Sequence, residues 1–155
     1  MFFLDNLILY NPIQIYNDLK EWRVSVRDIT TKSGESAGKV YSILNERGCL
    51  EKNQIIKLSK LNEQDFHIAL GWLARENKIS RENENCFKLD QSNLDEEIGS
   101  QAGRIWKILD IWGDVDYTTI KRLSDLDDNQ VHSALGWLAR EDKIKIDEKS
   151  RFNLR

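Results

Sequence analysis

The octapeptide ALGWLARE occurs twice, at 69–76 and 134–141, an offset of 65 residues. The same offset carries Ala37-Gly38 onto Ala102-Gly103, Ile43-Leu44 onto Ile108-Leu109, and Gly48 onto Gly113. It also carries Leu58-Ser59 onto Leu123-Ser124 and Phe87 onto Phe152, all without a gap. Most of the 155-residue chain is therefore one small domain written twice. Positions that differ between the copies are positions the shared fold does not prescribe. A domain of about 60 residues buries only about 60% of its unfolded surface and is marginal alone. The copies are expected to pack on each other or on a partner. The organisation read from the repeat is an N-terminal extension (1–27), a first domain (28–92) and a second (93–155).

Each copy shows the same order of signals. Asp28 or Asn93 is placed to cap a first helix. That helix carries Ala37, Val40, Ile43 and Leu44, or Ala102, Ile105, Ile108 and Leu109, on one apolar stripe. Gly48 and Gly113 stand where a helix C-cap glycine belongs. A short extended segment follows, and Asn53 or Thr118 can cap a second helix. After the turns Leu61-Asn62 and Leu126-Asp127 comes a third helix. Its buried stripe is Phe66, Leu70 and Leu73, or Val131, Leu135 and Leu138, and in copy two Asp127 and Gln130 have capping-box spacing. The chain then alternates polar and apolar through 78–89 and 143–154, as a hairpin does. Helix, strand, helix, turn, helix, hairpin is the order of a winged helix-turn-helix domain. The expected fold class is mostly helical α+β, two winged helices in tandem. In the extension, Asn11-Pro12 followed by Ile15, Leu19 and Trp22 reads as an amphipathic helix from about 12 to 22. Its role is either to dock on copy one or to bind a partner.

The motifs AGxxxxIL in the first helix and ALGWLARE at the end of the third resemble a prokaryotic winged helix-turn-helix family of unknown function. Copy two, with Ile98-Gly99-Ser100-Gln101-Ala102-Gly103-Arg104-Ile105-Trp106, is the closer match; copy one has Tyr41 in place of Trp106. The resemblance covers both copies and implies the fold. It implies little about activity.

The third helix would be the recognition helix of such a domain. With its apolar stripe turned inward, the opposite face carries Gln64, His67, Ile68, Gly71, Arg75 and Lys78 in copy one. In copy two that face carries Asn129, His132, Ser133, Gly136, Arg140 and Lys143. Gln or Asn can bond adenine edges and Arg can bond guanine or phosphate. Gly71 and Gly136 would allow close backbone approach, either to DNA or to another helix. Arg75 and Arg140, each followed by Glu, could equally form structural ion pairs. Trp72 and Trp137 read as core or inter-domain packing rather than a stacking platform. The second wing is the more basic, with Lys145, Lys149 and Arg151.

Charge argues the other way. The chain has net charge −3, and from residue 93 onward 10 Lys and Arg face 13 Asp and Glu. Asp125, Asp127 and Asp128 would repel a phosphate backbone just where the second recognition helix begins. Two functions are therefore carried forward, DNA binding first because the fold supplies it and the adaptor as its alternative. One is a DNA-binding regulator or architectural protein acting on double-stranded DNA. The other is an acidic protein–protein adaptor, with a protein partner or a homodimer.

No nucleotide loop, nucleophile elbow or metalloprotease motif is present, so no enzymatic role, cofactor or small-molecule substrate is expected. Each histidine stands alone at ligand spacing, and Cys49 and Cys86 are too far apart in sequence for a zinc signature. No metal site is expected. Free thiols and a cytoplasmic location are the simplest reading of that cysteine usage. No segment reaches the roughly 20 apolar residues that span a bilayer.

Overall fold

The computed structural model describes residues 28–155; the amphipathic segment expected at 12–22 lies outside the described residues. The chain folds as two tandem winged-helix domains. Copy one comprises α1 (Ile29–Arg47), α2 (Lys52–Ser59), α3 (Glu63–Arg75), β1 (Ile79–Asn83) and β2 (Cys86–Leu89). Copy two comprises α4 (Asp95–Trp112), α5 (Tyr117–Ser124), α6 (Asp128–Arg140), β3 (Ile144–Ile146) and β4 (Phe152–Leu154). Each wing is an antiparallel hairpin, pairing Ile79 with Leu89 and Ile144 with Leu154. The short extended segments join the wings through the bridges Leu50–Phe87 and Val115–Phe152.

The caps explain most boundaries. Gly48 (φ +77°) and Gly113 (φ +72°) end α1 and α4 in the left-handed region, each donating its N–H to the carbonyl four residues back. Asn62 and Asp127 cap α3 and α6, and Asp127 forms the reciprocal capping box with Gln130. Two caps differ from expectation. The second helices begin earlier, capped by Glu51 (with Gln54) and Asp116 rather than Asn53 and Thr118. Glu51 and Asp116 accept from the backbone N–H groups of Gln54 and Thr119, so the first turn starts one residue before Asn53 and Thr118. Asn93 caps nothing; it accepts from Arg81 N–H at 2.9 Å and donates to the Arg81 carbonyl at 2.7 Å, tying the linker to wing one.

Each copy has its own core, and each core takes in residues from the other copy. Ile29, at the start of α1, belongs to the core of copy two with Ile105, Leu109, Leu135 and Ile144. Leu94 and Ile98, at the start of α4, belong to the core of copy one with Val40, Ile55, Phe66 and Ile79. Ile29 and Leu94 are equivalent under the repeat, so the exchange is reciprocal. The first helices strap the copies together from both sides.

Candidate functional site

The helices that would read DNA, α3 and α6, pack on one another. A Cβ built on Gly71 would stand 1.8 Å from the Ser133 carbonyl oxygen, and one on Gly136 would stand 1.9 Å from that of Ile68. Residue 71 is equivalent to 136 and residue 68 to 133, so each glycine meets the same point on the other helix. This is the signature of a two-fold, isologous contact. The helices run side by side in the same direction. At their N-terminal ends Asn129 Nδ2 lies 3.5 Å from Glu63 Oε1. At their C-terminal ends two ion pairs cross, Arg75 Nε to Glu141 at 2.9 Å and Arg140 Nε to Glu76 at 2.7 Å.

The repeated motif is the material of this seam. Each Glu accepts from the other copy's Arg and from its own copy's Lys: Lys78 to Glu76 at 3.2 Å, Lys143 to Glu141 at 3.0 Å. Burial pushes both carboxyls upward, but these hydrogen bonds outweigh it, and both are held below the ordinary glutamate range. Each guanidinium also stands 5.6 Å over the tryptophan of the other copy, Arg75 over Trp137 and Arg140 over Trp72. The tryptophans rest in turn on Gly34 and Gly99, where a Cβ would come within 3.3 and 3.2 Å of the indole. GWLARE thus encodes, in order, the crossing glycine, the packed indole and the ion-paired ends.

The histidines lie further back along the same helices, and both are buried. Burial, reinforced by the nearby Lys52, pushes His67 down to about 4; Glu63 opposes this only in part. Its Nε2 has no hydrogen-bond partner among the described residues. Burial lowers His132 as well. His132 stacks on Tyr117, with ring centroids 5.0 Å apart, and Tyr117 donates its hydroxyl to Asp128 at 2.6 Å. In copy one Lys52 replaces that tyrosine and makes the equivalent contact, to Glu63 at 2.7 Å.

The sequence-predicted contact residues therefore divide. His67, His132, Arg75, Arg140, Lys78, Lys143 and Asn129 are drawn into the seam or its margins. Arg151 points back to donate to the Asp114 carbonyl. Of all these residues only the two histidines are buried; Arg75, Lys78, Asn129, Arg140, Lys143 and Arg151 stay exposed while making these contacts, as do Gln64, Lys145 and Lys149. The centre of the expected recognition face is not presented to solvent, because two equivalent faces, each with a glycine at its centre, pack on each other there. The cysteines also depart from expectation. Cys49 and Cys86 come together at a Cα–Cα distance of 5.7 Å and are joined in a disulfide. The free-thiol reading fails because the Leu50–Phe87 bridge closes a separation of 37 residues. The inference of a reducing compartment loses its premise with it. Among the described residues no helix is long and apolar enough to cross a membrane.

One apolar feature escaped the sequence reading. Ile111 and Trp112, at the exposed end of α4, are 76% and 62% accessible. Copy one has Glu46 and Arg47 at the equivalent positions, so the fold does not require this pair. Comparing the copies position by position would have singled it out.

The winged helix-turn-helix domain family (DUF2582) matches residues 27–88 and again 93–153. The chain belongs to this family. An uncharacterized protein of Methanocaldococcus jannaschii is 38% identical over 56 residues, 35% of this chain and 80% of that protein. Among solved structures, the mRNA-binding domain of elongation factor SelB from E. coli, in complex with SECIS RNA, is similar at 12% identity with a TM-score of 0.36. That similarity covers 80% of this chain and 97% of that one. So slight a likeness carries no weight for function. Winged-helix domains of this family type are compatible with binding nucleic acid or protein.

Proposed function

We propose that this DUF2582 protein is a non-enzymatic adaptor, binding a protein partner through its outer surfaces while α3 and α6 hold its two halves together. The observation that carries this reading is the Gly71–Gly136 crossing. A recognition helix needs one exposed face to enter a major groove. Here the centres of both such faces are buried against each other, and opening them would break two crossed ion pairs and two cation–π contacts. The outer surface offers the accessible Ile111-Trp112 pair, which the shared fold does not require.

DNA binding through the second wing is the other reading. Lys145 and Lys149 favour it, since both are exposed and have no ion-pair partner among the described residues. A titration of labelled random duplex at about 50 and about 200 mM salt separates the two, because phosphate contacts weaken steeply over that range. The adaptor reading expects no binding at micromolar protein. Salt-sensitive binding abolished by Lys145→Glu/Lys149→Glu would replace it with the wing reading. Binding abolished by Arg75→Ala/Arg140→Ala, with the fold intact, would restore the recognition-helix reading.

A further inference from the structure

We propose that Cys49, Cys86 and Glu82 form a metal site of the zinc class when the two cysteines are reduced. The two Sγ atoms and a carboxylate oxygen of Glu82 all lie within 4.8 Å of one another. Two tetrahedral ligands at a Zn–S distance of about 2.3 Å stand about 3.8 Å apart. Small side-chain rotations therefore bring the three atoms onto one ion. Glu82 Oε2 already lies 3.3 Å from Cys49 Sγ, and its other oxygen is held by Lys88 at 3.4 Å. That lysine fixes the carboxylate as an outer-shell partner does. Two sulfurs and one carboxylate select a borderline-soft divalent ion, with the fourth position left to water.

The repeat supplies an independent argument. The shared fold needs no cysteine at either position, for copy two has Asp114 and Arg151 there. It pins the same point by donating a hydrogen bond from the Arg151 guanidinium to the Asp114 carbonyl. Copy one has replaced a structural tie with three convergent ligands. The site would join the segment before α2 to wing one across 37 residues of sequence, so occupation would be felt as stability.

Forming the site from the oxidised protein takes two steps. A dithiol or phosphine reductant gives two electrons to the disulfide, which takes up two protons, and the reductant is oxidised. Each thiol then releases one proton as its sulfur binds the ion. The test is a titration of the full-length, reduced protein with Co²⁺ under anaerobic conditions, after counting its thiols. The expected result is a one-to-one rise of the near-ultraviolet thiolate-to-cobalt charge-transfer band, displaced by Zn²⁺, with a higher thermal midpoint in Zn²⁺. Glu82→Gln should weaken cobalt binding at least tenfold, since even outer-shell partners cost about 10–100-fold. The double variant Cys49→Asp/Cys86→Arg installs copy two's own pair, should fold, and should show no band. The proposal is overturned by a reduced protein with two free thiols and no band, by a band that survives in the double variant, or by a disulfide that resists reduction in the folded protein.

Discussion

Gly71→Ala is the sharpest test of the seam. The added Cβ would start 1.8 Å from the Ser133 carbonyl, and real Cβ contacts essentially never fall below 3.0 Å, so the helices must part by more than an ångström. The obstacle is backbone, which cannot rotate away as a side chain can. Alanine gains about 1 kcal/mol over glycine from helix propensity. Overpacking a tight site costs about 1–3 kcal/mol, and a backbone clash belongs at or above the upper end. Parting the helices also stretches the Arg75–Glu141 and Arg140–Glu76 pairs. A net loss of about 2 kcal/mol or more follows, which for a chain of this size lowers the thermal midpoint by about 4–8 °C. Gly38→Ala and Gly103→Ala provide the contrast. Both glycines are helical and exposed, with nothing within 4 Å of an added Cβ. Each should stabilise by about 0.5–1 kcal/mol through propensity alone. Gly136→Ala should match Gly71→Ala, and the double variant should cost less than their sum, since one separation relieves both clashes. Thermal unfolding and urea titration of the five variants decide it. If Gly71→Ala stabilises as Gly38→Ala does, the close crossing does not exist in solution and the argument against groove insertion falls with it.

Two further outcomes follow from the same geometry. His67 is held at about 4, below its ordinary 6.5, so between those values the unfolded chain binds the proton and the folded chain resists it. Stability should therefore be fully present above pH 6.5 and fall as pH drops towards about 4, with His132 acting in the same direction. Urea midpoints across that window should show a shallower slope in His67→Gln, and an unchanged slope would contradict the burial argument. Ile111→Glu/Trp112→Arg installs copy one's own residues at an exposed helix end, so its unfolding free energy from urea titration should change by less than about 0.5 kcal/mol. A large loss would show that the pair supports the fold rather than a partner.

The sequence alone determined the architecture, because its signals are local. The 3.6-residue stripe through Phe66, Leu70 and Leu73, the glycines at 48 and 113, and the Asp127–Gln130 spacing each act within a few residues, and each appears twice. The repeat also sorted required positions from free ones, which is what gives Cys49, Cys86, Ile111 and Trp112 their meaning. The partner of each surface was beyond its reach. The face bearing His67, Gly71 and Arg75 reads the same whether it meets a DNA groove or its own copy, since both favour a small residue at the crossing and charges at the ends. Only the tertiary structure shows the two copies meeting at this face, by bringing residues about 65 apart into contact and exchanging Ile29 and Leu94 between the cores. The same holds for Cys49 and Cys86: sequence spacing reports ligands within one turn or loop, whereas this pair is assembled by a bridge between two separate segments.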